Sequence, residues 1–122
     1  MTVTFDSYAW IEYFSVSTKG SKVRELVEGS EQIFSPALSL AEIKSKYTRE
    51  KKPFEERLEF IMFRSSIVGV SAEIALLVAD LMQKDGLHLA DAVMYATALY
   101  TNTKLLTGDK HLKGKDNVIF LE

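Results

Sequence analysis

The chain contains no cysteine. This excludes a disulfide frame, a thiolate zinc site and a thiol nucleophile. Long hydrophobic runs are lacking too. The longest apolar stretch of helical character, around residues 87–100, carries His88 and Asp91 and is too short and too polar to span a bilayer. No charged-then-apolar leader with a small-residue cleavage site is seen, so a cytoplasmic location is the expectation. There is no excess of positive charge. The net charge is -2, so the global field does not draw in nucleic acid. Internal repeats, linkers and low-complexity segments are also missing. What remains is a 122-residue chain, 47% hydrophobic and 26% charged, which fits one globular domain over residues 1–122.

Short apolar runs alternate with helical patterns along this chain. Strands are expected at residues 2–5, 33–35, 67–70, 104–107 and 118–121. Between them, Trp10, Ile11 and Phe14 recur at helical spacing, and Val23, Leu26 and Val27 share a face of a helix capped by Ser21 and ended by Gly29. Ser35-Pro36 reads as the N-cap and first turn of a helix through Tyr47. Pro53 opens another helix, Ser71 and Glu73 begin a long one closed at Asp85-Gly86, and a nearly all-apolar helix runs from Leu89 to Tyr100. Strands rich in Leu, Ile, Val and Phe without clean alternation argue a parallel sheet covered on both faces. The expected fold is therefore a three-layer α/β/α domain around a five-stranded parallel sheet. In such sheets ligands bind beyond the carboxyl ends of the strands.

Four carboxylates sit where strands end or helices begin: Asp6 after Val3-Thr4-Phe5, Glu42 in Ser39-Leu40-Ala41-Glu42, Asp91 in Leu89-Ala90-Asp91-Ala92, and Asp109 after Leu106-Thr107-Gly108. In a parallel sheet they converge at its carboxyl edge. Two unit charges 4 Å apart repel by about 4 kcal/mol at an effective dielectric of 20. Four together must bind protons or hold a cation, and a divalent metal site is the natural reading. Each position also has a structural reading. Asp6 is a possible N-cap, although Ser7 serves that purpose equally well and leaves Asp6 free. Ser39-x-x-Glu42 matches a capping box, but a helix starting at Ser35-Pro36 places Glu42 two turns in, beside the buried face. Asp91 in a first turn gains about 0.3–1 kcal/mol from the helix dipole, far less than the several kcal/mol lost on desolvating an unpaired carboxylate. Asp109 follows a turn, where Asp is common, and Thr107 offers a hydroxyl to a water or to a neighbouring carboxylate. His88 reads as shielding a helix start, His111 as surface, Glu12 as pointing elsewhere, and Trp10 with the tyrosines as core or interface.

Two basic patches flank these acids. Lys44, Lys46, Arg49, Lys51 and Lys52 are opposed only by Glu50, and the tail adds Lys104, Lys110, Lys113 and Lys115. Solvated helix faces account for some of these. Basic patches beside an acidic centre also suit a polyanion whose phosphate approaches through a metal.

In order, Phe5-Asp6-Ser7, Leu40-Ala41-Glu42, Leu87-His88-Leu89-Ala90-Asp91-Ala92 and Leu105-Leu106-Thr107-Gly108-Asp109-Lys110 resemble the PIN-domain family. More narrowly they are similar to its small toxin ribonucleases of the VapC type, over roughly residues 2 to 121. The resemblance implies a five-stranded parallel sheet with an acidic pocket at its carboxyl edge. It also implies Mg²⁺ or Mn²⁺, endonucleolytic cleavage of RNA, homodimers and inhibition by a cognate antitoxin. Asp6, Glu42 and Asp91 would form the main metal site, with Asp109 direct or through water. Thr107 would assist them, and Lys44, Lys46 or Lys110 would hold flanking phosphates. The extra carboxylate that some members carry near the last site has no clear counterpart. Asp116 is the nearest candidate, in a turn-like context, which leaves a second metal in question.

Rival readings fail on specific residues. A receiver domain needs paired acids after the first strand and an Asp after the third, and the chain has Asp6-Ser7 and Val70-Ser71-Ala72. A haloacid-dehalogenase-type phosphatase needs Asp-x-Asp where Asp6-Ser7-Tyr8 stands. The alternative of another class is a catalytically silent module whose acidic pocket accepts a basic partner segment.

Overall fold

The structure is a computed structural model and describes residues 2–122. Five strands, β1 (Val3–Phe5), β2 (Ile33–Pro36), β3 (Ser66–Val68), β4 (Lys104–Thr107) and β5 (Val118–Phe120), form one sheet in the order β3-β2-β1-β4-β5. Every pairing is parallel. Six helices connect them: α1 (Ser7–Ser15), α2 (Gly20–Glu28), α3 (Ala37–Arg49), α4 (Glu55–Arg64), α5 (Ala72–Asp85) and α6 (Leu89–Tyr100). A short 3₁₀ turn spans Lys110–Leu112. The expected three-layer α/β/α architecture is the one observed.

Alternation along the strands divides the core in two. Val3 and Phe5 of β1 and Leu106 of β4 join Trp10, Val23, Leu26, Ile43 and Ile61 on one face. Leu105 packs on the other face with Ile74, Val78, Ala92 and Met94. Each fully buried Leu, Ile or Phe contributes about 1.5–3 kcal/mol. Trp10 anchors the first layer. Its ring lies 4.9 Å, edge-on, from Phe5, and its indole N–H donates to Ser35 Oγ at 2.9 Å. Ser35 in turn bonds Ser65 Oγ at 2.7 Å. A buried polar pair of this kind must be satisfied internally, and here it is.

This network explains one departure from the sequence reading. Ser35 does not cap α3; its hydroxyl is committed to Trp10 and Ser65, and Pro36 stays extended (ψ 137°) as the last residue of β2. Ser21 likewise does not cap α2. The helix begins one residue earlier, at Gly20, whose N–H bonds Ser17 Oγ at 3.0 Å. Glycine is needed there because a Cβ would strike the Glu12 carbonyl oxygen. Pro53 lies before α4, which opens at Glu55. The third strand is Ser66–Val68, so Gly69 and Val70 fall outside it. Other signals appear where expected: Ser71 Oγ accepts from Ile74 N at 3.2 Å, and Gly86 closes α5 with φ 68°.

Arg64 ties the end of α4 to the end of α2 and the loop that follows it. Its guanidinium donates to the carbonyls of Leu26, Val27, Gly29 and Glu31 at 2.7–3.3 Å, satisfying acceptors that the end of α2 leaves open.

The chain builds β1, β2 and β3 outward, then returns to lay β4 against the other side of β1. The crevice between β1 and β4 is therefore the point where strand order reverses, the preferred ligand position in a sheet of this kind.

Candidate metal centre

Strand register builds the site. Phe5 pairs with Leu106, so the next residues, Asp6 and Thr107, meet at the carboxyl edge. Asp6 Oδ2 accepts the Thr107 hydroxyl, and Thr107 Oγ1 accepts from Asp109 N at 3.0 Å. Thr107 is fully buried and therefore positions two of the acids from behind them. Asp6 Oδ1 accepts from Ala9 N at 2.9 Å, making Asp6 the N-cap of α1. Of the two caps the sequence offers, Asp6 and Ser7, it is Asp6 that serves. Ser7 Oγ instead donates to Glu42 Oε1 at 2.5 Å, holding the glutamate of α3 against the start of α1. Capping does not exhaust Asp6, because a carboxylate has about four lone-pair sites.

Asp91 comes from the first turn of α6. Asp109 caps the 3₁₀ turn, its Oδ1 accepting from His111 N at 2.9 Å and facing His111 Nδ1 at 3.0 Å. His111 Nδ1 also lies 3.8 Å from Asp91 Oδ2. Leu112, fully buried, anchors this turn.

All four acids line one cleft of ≈ 710 Å³. Lys46, Arg49 and Lys110 share its walls. Lys44 does not; it borders a neighbouring depression with Ala41 and Ser45, its Nζ 5.5 Å from the centre of the Phe54 ring. Tyr8 forms part of the lip, its hydroxyl accepting from Lys19 Nζ at 3.2 Å. Gly108 allows this, because a Cβ there would run into the Tyr8 ring. Asp116 stands apart in a turn, where its main-chain oxygen accepts from the Tyr95 hydroxyl at 2.9 Å.

Sequence reasoning missed three contributors. Ser7 reads in the sequence as a cap and as part of the Phe5-Asp6-Ser7 motif, not as the partner of Glu42. Glu12 was placed elsewhere, yet it borders the cleft while accepting a hydrogen bond from Ser17. His111 reads as surface, and it is exposed, but its ring nitrogen turns toward two of the acids. The Asp109-x-His111 spacing was the available signal, and it only acquires meaning once the 3₁₀ turn is known.

The electrostatics bear out a shortage of positive charge. Burial pushes the Asp6 carboxyl up to about 7, against the Thr107 and Ala9 hydrogen bonds, with Asp109 and Glu42 adding repulsion. Burial also raises Asp91 to about 6, helped by its hydrogen bond to Asp109 and by that neighbour's charge, with His111 opposing. Asp109 moves the other way. Burial raises it, but the hydrogen bond with Asp91 and the contacts with His111 hold it below the usual carboxylate range. Asp91 and Asp109 thus shift in opposite directions, each in part through its contact with the other. Among the described residues, no Lys or Arg forms an ion pair with Asp6, Glu42, Asp91 or Asp109. A cleft that pushes Asp6 and Asp91 toward the protonated form with no cation beside them, and whose donors are mostly carboxylate oxygens, fits a hard divalent ion such as Mg²⁺ or Mn²⁺.

Comparison with solved structures places this architecture among others. A toxin-antitoxin complex from Klebsiella pneumoniae contains a chain that superposes with a TM-score of 0.83 at 23% identity, covering 98% of each chain. VapBC2 from Rickettsia felis, bound to a DNA fragment from its promoter, gives 0.76 at 20% identity over 98% of this chain and 97% of that one. VapC20 of Mycobacterium tuberculosis, described as a sarcin-ricin loop cleaving toxin, gives 0.66 at 12% identity over 84% and 86%. A search of curated proteins found no match. The PIN domain family model matches residues 3–118. With that match spanning nearly the whole sequence, the chain belongs to the PIN domain family.

Proposed function

We propose that the chain is a divalent-metal-dependent endoribonuclease, hydrolysing RNA phosphodiester bonds as the toxin of a type II toxin-antitoxin pair. The observation that carries this reading is the convergence of Asp6, Glu42, Asp91 and Asp109 on one cleft at the β1/β4 crevice. The toxin assignment draws on the solved relatives named above, two of which are toxin-antitoxin assemblies.

Asp6, Glu42 and Asp91 would hold Mg²⁺ or Mn²⁺, with Asp109 direct or through water. When bound, the ion supplies Lewis-acid activation of water and charge neutralisation at the phosphate. The chain's own residues do the rest. Thr107 and the start of α1 fix Asp6, and Ser7 fixes Glu42. Lys46, Arg49 and Lys110 line the walls where flanking phosphates would lie. No side chain need act as nucleophile. Lys44 faces away from the cleft and is not included among the phosphate contacts.

A homodimer, a cognate antitoxin and a cytoplasmic setting complete the proposal. No helix among the described residues is long and apolar enough to cross a membrane. Apolar side chains are exposed on and around the sheet's edge strand: Ile67 on β3 itself, Met62 (50%) and Phe63 (87%) near the end of the preceding helix α4, and Val70 just after β3. An exposed apolar group at a sheet edge supports a protein contact there.

Incubation of purified protein with RNA and Mg²⁺ or Mn²⁺ tests the activity. Cleavage that is abolished by a chelator and by Asp6→Asn or Asp91→Asn is expected. Undiminished cleavage by either variant would refute the site assignment. Tight Mn²⁺ binding without cleavage would instead favour the silent binding module.

A further inference from the structure

We infer that His111 is a metal ligand, so that Asp91, Asp109 and His111 form a mixed nitrogen–oxygen position favouring Mn²⁺ or another transition ion over Mg²⁺. The inference rests on the metal-dependent reading above and goes beyond it by adding a nitrogen donor and a preference. One ligand atom from each of the three residues lies within 4.8 Å of the other two. His111 Nδ1 faces Asp109 Oδ1 at 3.0 Å and Asp91 Oδ2 at 3.8 Å. Without an ion, an Nδ1–H of His111 satisfies these oxygens; a divalent ion that displaces that proton would meet one nitrogen and two carboxylate donors converging from three directions.

The ring is delivered there by its backbone. Asp109 caps the 3₁₀ turn through His111 N, and buried Leu112 pins the turn to the α6 layer. The imidazole is 70% exposed, so no packing constraint keeps it from adjusting to an ion. Beside it, a small cavity of ≈ 110 Å³ is bounded by His88, Asp85 and Asp91, with the two imidazole rings perpendicular and 6.4 Å apart. His88 makes no side-chain cap bond to α6. Imidazole suits transition ions, whereas Mg²⁺ prefers an all-oxygen octahedron. Asp6 and Glu42, tied to Thr107 and Ser7, leave the opposite side of the cleft all oxygen.

Electron spin echo envelope modulation on Mn²⁺-loaded protein reads nitrogen coordination directly, apart from activity. Wild type is expected to show imidazole ¹⁴N coupling that His111→Ala loses and His88→Ala retains. Removing a group that supports a metal site typically lowers affinity 10–100-fold. The Mn²⁺/Mg²⁺ affinity ratio by calorimetry should accordingly fall about 10-fold in His111→Ala. His111→Asp, which restores an oxygen donor, should bind both ions with the ratio shifted toward Mg²⁺. Bound Mn²⁺ without imidazole coupling in wild type, or coupling that persists in His111→Ala, overturns the inference and leaves the carboxylate site standing. No Mn²⁺ binding by wild type overturns both.

Discussion

Asp6→Asn should make the metal-free protein more stable above neutral pH while destroying its activity. The Asp6 carboxyl is 5% exposed, and its pKa rises from 3.8 to about 7, chiefly through burial. The sign follows from linkage. A group whose folded pKa is raised contributes stability that is present below its unfolded pKa and lost as pH climbs through the folded one. At roughly 1.4 kcal/mol per pH unit, the gap between these values amounts to about 4 kcal/mol lost between pH 4 and pH 8. Asparagine is nearly isosteric. It can still accept from Ala9 N and meet the Thr107 hydroxyl, but it carries no charge. The difference in stability between variant and wild type should therefore be small at pH 4 and grow to several kcal/mol by pH 8. In a domain of this size that corresponds to a Tm gap of about 10–20 °C. Saturating Mg²⁺ or Mn²⁺ should narrow it by more than half, since ligand at 100 times Kd stabilises by about 2.7 kcal/mol and the variant lacks a key ligand. Thermal unfolding of both proteins across pH, with chelator or with metal, measures this. A gap that does not change with pH, or a variant less stable than wild type at pH 8, would refute the burial argument.

Other outcomes follow from single contacts. Ser7→Ala frees Glu42 from its 2.5 Å hydrogen bond; cleavage should fall about 10–100-fold, the loss typical when a group that orients a metal-binding carboxylate is removed, with the fold retained by circular dichroism. Arg64→Ala orphans four carbonyls near the end of α2 and should cost about 2–4 kcal/mol by chemical denaturation, with Arg64→Lys recovering only part because it lacks the planar fork. Gly108→Ala should displace the Tyr8 ring and lower stability, and the loss should shrink in the Tyr8→Ala background, as a double-mutant cycle would register. Val16 holds φ 55° at the end of α1 and is exposed; Val16→Gly should relieve left-handed strain of about 1–2 kcal/mol, offset in part by glycine's entropy, for a rise in Tm of a few degrees.

Much of this fold was legible in the sequence because its signals were local and mutually consistent. Buried apolar strands, Ser71 before a helix and Gly86 after it each point to one conformation, and the alternation of strands and helices selects the parallel sheet. Errors arose where a local signal lost to a distant partner. Ser35-Pro36 has the chemistry of a helix start, but Trp10 and Ser65 claim the serine hydroxyl. Ser21 has the chemistry of a cap, but the Gly20 backbone must pass close to the Glu12 carbonyl. The acids could be found because each stands at the end of a strand or near the start of a helix, where topology alone brings them together. The parts that complete the cleft were not readable in that way. Ser7 matters through a residue 35 positions away, and His111 through a turn too short to leave a periodic pattern. Lys44 and Lys46, both read as phosphate contacts, lie two residues apart on one helix and so face different ways; only Lys46 lines the cleft.

The central claim is that the four acids hold a divalent ion, and anomalous scattering from crystals grown with Mn²⁺ tests it most directly. A peak in the cleft within coordination distance of Asp6, Glu42 or Asp91, absent from Asp6→Asn crystals, is the result expected. A cleft with no manganese peak at saturating concentration, in protein that remains folded, would contradict the account.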